Sequence, residues 1–256
     1  MGRDGPDQEL RRAAALVFVD DLETPVLSRG DAHHLGAVLR VRDGEVVIAA
    51  AGTGEGRWRR CVATRLRQRP SSNRGAHGGP DLGGFELVPD GAIFVSPKPE
   101  PTIEVGMSIA KGERTDWAVA KLVEIGVDRI TLVLSDRAVA KPPRTASLER
   151  YGRIIRQSAM QSRRVRLPEL VEPSRLETVV ARSGAFAVAL AEPGGGLLTL
   201  EHPTVLVGPE GGWSERELAE APFHVELSDA VLRVETAAVA AGVMLARLRS
   251  IESTGG

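Results

Sequence analysis

The chain has 256 residues, 42% hydrophobic and 26% charged, the composition of a soluble globular protein with room for one large domain or two modest ones. Its single cysteine, Cys61, excludes an internal disulfide framework and any multi-cysteine metal site; no apolar run reaches the roughly 18 residues of a membrane helix. The net charge of −1 hides strong segregation: Arg40 to Arg74 is net +6, Arg137 to Arg166 net +8, and Leu167 to Gly256 net −7. That pattern predicts a polarised surface with basic patches suited to phosphate, although only 4% aromatic residues excludes a broad base-stacking platform.

In chain order, Met1 to Arg12 is polar and reads as a disordered leader. Without a signal-peptide pattern the expected compartment is a reducing cytoplasm. Leu16 to Val19 reads as a short strand, and Asp31 to Arg40 as a short helix with Leu35, Val38 and Leu39 on one face. Asp43-Gly44 is a turn signal, followed by a strand from Glu45 to Ala50 and a partner from Trp58 to Thr64. Pro70 to Gly84 has no periodicity and reads as an extended loop. A strand over Ala92 to Ser96 leads into Ser96-Pro-Lys-Pro-Glu-Pro101, whose alternating prolines favour an extended linker. The domain boundary is therefore placed there, giving 13–98 and 99–252.

The second part alternates strand and helix. Strands are predicted at Val105 to Ala110, Ile130 to Leu134, Ala185 to Leu190, Val205 to Val207 and Val225 to Leu227. Helices are predicted at Glu113 to Ile125, stopped by Gly126, and at Ala146 to Ser162. A short one follows Ser214, where Ser214-Glu-Arg-Glu217 forms a capping box, and the last spans Val234 to Arg249. This alternation predicts an α/β fold with a mainly parallel sheet. The last helix is apolar on nearly all sides and so calls for cover on all of them, including a second subunit.

Two glycine-rich segments compete as ligand loops. Val46 to Gly56 is a strand followed by Gly-x-Gly-x-Gly, the look of a nucleotide loop. However, no acid ends the strand, and Arg57 to Arg60 opposes a helix dipole, so it is read as a hairpin turn. Val207-Gly-Pro-Glu-Gly-Gly-Trp-Ser214 follows a buried strand and precedes a capped helix, where ligands of open α/β sheets bind. It is neither a P-loop nor a dinucleotide fingerprint, and an ordinary glycine-rich turn is its competing reading. Arg233 and Glu235 sit at the mouth of the last helix, where Arg233 could orient an anion.

Lys111-Gly-Glu-Arg-Thr-Asp-Trp117, Glu124-Ile-Gly-Val127, Gln161-Ser-Arg-Arg164, Gly208-Pro-Glu-Gly-Gly212 and Leu232-Arg-Val-Glu-Thr-Ala-Ala238 occur in this order. Together they resemble the RsmE family of 16S rRNA uridine-N3 methyltransferases, within the SPOUT superfamily. The resemblance is strong from Lys111 to Leu248. It is weaker over the N-terminal part, where His34 to Arg40 is similar to a segment of a PUA-like RNA-binding barrel. Two departures are the loop from Pro70 to Gly84 and Ser228-Asp-Ala230, where the family pattern has Gly-Pro-Arg.

The resemblance implies a trefoil-knotted C-terminal domain, a PUA-like N-terminal β-barrel, a homodimer, S-adenosylmethionine as cofactor and no metal. The cofactor pocket it implies comprises Leu190, Val207, Gly208, Pro209, Glu210, Gly211, Gly212, Leu227, Ser228, Val231 and Leu232. A side chain on Gly211 is expected to occupy space the cofactor needs. Arg233 is expected to stabilise the uracil anion, with Glu210 and Glu235 as alternative bases. Arg163 and Arg164, aided by Arg40, are expected to contact rRNA phosphates, within the small ribosomal subunit. The competing functions are a non-catalytic RNA-binding or ribosome-assembly factor and a nucleotide-dependent enzyme. The latter lacks the Lys and Ser/Thr that phosphate chemistry needs. Titration with S-adenosylhomocysteine and with ATP separates the three.

Overall fold

The computed structural model describes residues 6–52, 55–66 and 84–255. The chain divides into two compact units, one running to Lys98 and including Ala159–Arg166, the other comprising Pro99–Ser158 and the chain from Leu167 onward.

The first unit holds α1 (Pro6–Arg12), β1 (Ala15–Phe18), α2 (Arg29–His33), β2 (Val46–Ala50), β3 (Arg57–Arg65) and β4 (Phe85–Val95). The strands form one sheet in the order β1-β2-β3-β4, with β1 parallel to β2 and the other two pairings antiparallel. Leu16, Leu35, Ile48 and Trp58 are fully buried beneath it. Trp58 stacks on Phe94 at 4.8 Å between centroids and donates its indole N–H to Ser96 Oγ at 3.0 Å. The segment joining β2 to β3 starts and ends in the left-handed region, at Gly52 (φ 65°) and Gly56 (φ 63°), so the upstream glycine cluster closes a hairpin. Cys61 is buried there, and burial pushes its thiol up to about 11, leaving it inert as a nucleophile.

Three expectations change in this unit. The leader folds from Pro6 as α1, because Leu10 and Ala13 have an apolar interior to enter. The helix predicted over Asp31 to Arg40 is divided: α2 ends at His33 and a π-helical turn continues from His34 to Val38, with Leu35 buried. The strand expected from Ala92 begins at Phe85. The loop from Pro70 lies, apart from Gly84, outside the described residues.

The second unit runs β5 (Glu104–Ser108), α3 (Arg114–Ile125), β6 (Arg129–Val133), most of α4 (Thr145–Gln161), β7 (Glu169–Ser174), α5 (Leu176–Ser183), β8 (Val188–Gly196), β9 (Thr204–Val207), α6 (Glu215–Glu220), β10 (Phe223–Val225) and α7 (Val234–Gly255). Its six strands lie in the order β10-β8-β9-β5-β6-β7, and every pairing is parallel. β5 and β9 are buried at every position, as central strands covered on both faces must be. Gly106 on β5 allows close packing, since a Cβ there would lie 2.3 Å from Leu206 Cδ2 and would force that side chain to shift.

β7 and α5 were not predicted. Pro173 obscures the strand pattern, and proline is tolerated because β7 is an edge strand. β8 continues past Leu190 through Pro193 and three glycines, and β10 lies two residues earlier than expected.

α3 ends where Gly126 (φ 106°) donates its N–H to the carbonyls of Leu122 and Val123. α7 packs on α3, β5 and β9. Gly242 lets α7 and α3 close up, for a Cβ there would sit 3.0 Å from Leu122 and 3.2 Å from Val127. Farther along α7, Arg249 pairs with Asp128 and donates to the carbonyls of Pro101 (3.1 Å) and Gly126 (3.0 Å).

Candidate active site

The carboxyl ends of β8 and β9 and the segment from Glu226 into α7 enclose a cavity of about 350 Å³. Ligand sites of open parallel sheets lie at such strand ends, and the volume is in the range of small-molecule pockets. Val207, Gly208, Pro209, Glu210 and Gly212 form one wall, and Leu227, Ser228, Val231, Leu232 and Arg233 another. Trp213, 3% exposed, lines the cavity and donates its indole N–H to Ala191 O at 3.3 Å. The Gly208 backbone lies against that ring, since a Cβ there would meet Trp213 at 2.9 Å.

The loop is tied down from behind. In the capping box of α6, Glu217 N donates to Ser214 Oγ (3.2 Å), and Ser214 N donates to Glu217 Oε2 (2.8 Å). The other oxygen of Glu217, itself 2% exposed, accepts the N–H of Asp136 at 3.0 Å from the segment after β6. Asp136 in turn accepts from Ser214 Oγ (2.8 Å) and from Arg216 Nη2 (2.9 and 3.0 Å), with Arg175 at 3.3 Å. The Ser214 hydroxyl first, and Arg216 next, hold the Asp136 carboxyl below the usual carboxylate range. Arg137 donates to Gly211 O at 3.2 Å. The capping box was legible in the sequence, whereas the partners Asp136, Arg137 and Arg175 were not, because they lie far from the loop in the chain.

Leu190, expected in the pocket, is fully buried in the sheet core, and Ala191, Glu192 and Pro193 take the wall instead. Gly211 faces away, for a Cβ there would meet only Arg137, at 3.5 Å. Arg233 lines the cavity, and among the described residues its guanidinium has no carboxylate partner. Glu210 lines it too. Glu235 does not: it pairs with Arg114 at 3.7 Å. Glu192, Glu226, Ala230, Val234 and Ala237 also line the cavity, and sequence reasoning did not identify them.

Residues 97–246 match the family of RNA methyltransferase domains. The chain belongs to that family. This RNA methyltransferase is 28% identical over 261 residues to "Ribosomal RNA small subunit methyltransferase E" of Mycobacterium tuberculosis (strain CDC 1551 / Oshkosh), covering 91% of this chain and 93% of the relative. It is 29% identical to the protein of the same name from Synechocystis sp. (strain ATCC 27184 / PCC 6803 / Kazusa), covering 84% and 70%. Its fold matches a probable rRNA-methyltransferase from Porphyromonas gingivalis with a TM-score of 0.73 at 25% identity, covering 93% and 99%. It also matches, with a TM-score of 0.67 at 24% identity over 91% and 97%, a Neisseria gonorrhoeae ribosomal RNA small subunit methyltransferase E solved bound to S-adenosyl methionine.

The arginines expected on RNA separate in the RNA methyltransferase structure. Arg40 is exposed, with φ at 54°. Arg164 is half-buried, and its N–H donates to Ala159 O. Arg163 is committed inward: one Nη donates to the carbonyls of Ala13 (3.2 Å) and Ala14 (2.8 Å), the other to Met160 O (3.2 Å). Its desolvation lowers its pKa from the usual arginine value. Arg163→Ala should therefore destabilise the protein by about 1.5–3 kcal/mol, as loss of charged hydrogen bonds does. Denaturant titration measures that loss, and the salt dependence of RNA binding should not change. A flatter salt slope with unaltered stability would return Arg163 to the phosphate surface.

Proposed function

We propose that the protein transfers a methyl group from S-adenosylmethionine to N3 of a uridine in small-subunit (16S) rRNA. The observation that carries this reading is that Glu210 and Arg233 line one cavity at the carboxyl ends of the strands. The cavity fits the cofactor. Val207, Trp213, Val231, Leu232 and Ala237 offer apolar surface to an adenine, and Glu192, Glu210 and Glu226 suit a ligand with sulfonium and ammonium charges. When bound, the cofactor supplies an electrophilic methyl group.

The uracil N3 carries a proton on the Watson–Crick edge, so the base enters unpaired or flipped. Of the two candidate bases, Glu210 is the one that shares the cavity with Arg233, and it takes that proton. Arg233 faces the uracil oxygens over which the resulting negative charge spreads. Single-turnover transfer of labelled methyl to small ribosomal subunits, with mapping of the modified base, tests the assignment. Label at C5 or on a ribose hydroxyl would overturn it.

The loop makes a further expectation. Gly208→Ala should lower S-adenosylhomocysteine affinity by about tenfold or more, the scale of overpacking strain, because Trp213 must move. Gly211→Ala should be neutral, since its Cβ meets ordinary van der Waals distances. Calorimetric titration decides; equal losses would mean that the two glycines act only through loop flexibility.

We assign RNA binding to the N-terminal unit as a PUA-like barrel and the trefoil-knotted topology to the C-terminal one, with the boundary at residues 98–99. The cytoplasm is the expected compartment, in keeping with the lone buried Cys61, and no helix among the described residues can cross a membrane. A homodimer is expected through α7 with Met244 or Leu245 near the interface; Leu245 is fully buried within its own chain, which leaves half-buried Met244, beside Val243 (50% exposed), for that role. A strictly monomeric species in dilute sedimentation would refute it.

A further inference from the structure

The start of α7 serves two cavities, and only one is the site described above. The second, about 680 Å³, is lined by Lys111, Arg114 and Trp117 with Glu235 and Thr236. Glu235 is 8% exposed, and its Oε2 has no hydrogen-bond partner among the described residues. Its Oε1 faces Arg114 Nε at 3.7 Å, too far for a hydrogen bond. A buried carboxylate with unused acceptors is costly, and a ligand that brings donors relieves that cost. The groups a ligand must displace are surface side chains, for Arg114 is 45% exposed and Trp117 47%. Trp58 and Trp213 are buried, so Trp117 is the tryptophan with a face to offer a planar ligand.

We propose that this cavity holds a guanine base of the RNA, a neighbour of the target nucleotide, and so helps select the site of methylation. The inference rests on the RNA-methylation reading above. Guanine is the base whose Watson–Crick edge presents two adjacent donors, N1–H and N2–H, which match the two oxygens of a carboxylate. Its O6 accepts from Arg114, already beside Glu235. Adenine and cytosine set a ring-nitrogen acceptor beside their amino donor, and uracil flanks N3–H with two carbonyls. Each of those edges turns an acceptor toward Glu235. Trp117 provides the stacking surface, and Lys111, exposed on the same rim, meets a phosphate.

The test titrates the full chain with the four nucleoside monophosphates, reading quenching of tryptophan fluorescence, of which Trp117 is the accessible source. Guanosine monophosphate should bind about tenfold tighter than the other three, the discrimination a bidentate pair supplies. Glu235→Gln should abolish that preference, because its amide presents a donor to one of guanine's donors. Trp117→Ala should remove the quenching. S-adenosylhomocysteine affinity, measured on the same preparations, shows that each variant is folded. A wild-type chain that fails to bind S-adenosylhomocysteine sinks the methylation reading, whereas one that binds it but takes all four nucleotides equally sinks the guanine site alone. Glu235→Gln retaining the guanine preference also overturns it. In a last arm, a short single-stranded RNA with one guanosine should displace guanosine monophosphate, and the same RNA with adenosine in its place should not. If neither competes, the cavity takes a free nucleotide and the RNA assignment falls.

Discussion

Replacing Arg233 by alanine should slow methyl transfer roughly 100- to 1,000-fold, the usual effect of removing an oriented donor that stabilises developing charge. The expectation follows from how little else the side chain does. Arg233 is exposed on the cavity wall, and among the described residues no carboxylate neutralises it. Its contribution to the fold is its backbone carbonyl, which accepts the N–H of Ala237 at the start of α7 and survives substitution. Cofactor affinity and thermal stability should therefore stay near wild type while single-turnover rates collapse. Arg233→Lys should fall between, since an ammonium keeps the charge but loses the planar fork. Transfer by Arg233→Ala at full rate would remove the residue from the chemistry.

The largest expected loss of stability lies elsewhere, at Arg249. Its side chain and that of Asp128 are each 11% exposed, and the same guanidinium closes the carbonyls of Pro101 and Gly126. Arg249→Ala would remove the guanidinium paired with Asp128, whose carboxylate also accepts the Ile103 N–H at 3.0 Å, and with it the side-chain donors to the Pro101 and Gly126 carbonyls. Breaking one side of a buried pair costs about 3–5 kcal/mol. Urea unfolding should report that loss with an unchanged slope. A shift below about 1 kcal/mol would place the pair among surface ion pairs, whose contribution is that small.

The parallel sheet was legible because its strands are short apolar runs punctuated by helix signals, as at Ile130 to Leu134 and at Glu113 to Gly126. The candidate-site loop was legible for a local reason: Gly208 to Gly212 and the Ser214 capping box are contiguous. Where the pattern carries a breaker, sequence reasoning failed. The strand expected to end at Leu190 runs on through Pro193 and the glycines after it, and Ala191, Glu192 and Pro193 supply a cavity wall. Glu235 shows a second limit. One sequence puts it two residues from Arg233, but a helical turn sends adjacent side chains to different faces, and they line separate cavities. Arg163 shows a third, since nothing in a run of basic residues distinguishes the one whose hydrogen bonds are spent on Ala13 and Ala14.

The tether behind the loop from Gly208 to Gly212 also decides which solution variable loosens it. Because the Asp136 carboxyl titrates below its ordinary range, its contribution is complete above that range and is lost only as pH falls through the lowered value. Neutral and mildly acidic buffers leave it intact. Ionic strength acts differently on its two layers. Arg175 and Arg216 reach Asp136 with side chains 62% and 52% exposed, and salt screens such pairs. Glu217 holds Asp136 N and Ser214 N from a side chain that solvent ions barely reach. Rising salt therefore strips the outer clasp and spares the inner one, so the loop slackens partway and then holds at a plateau.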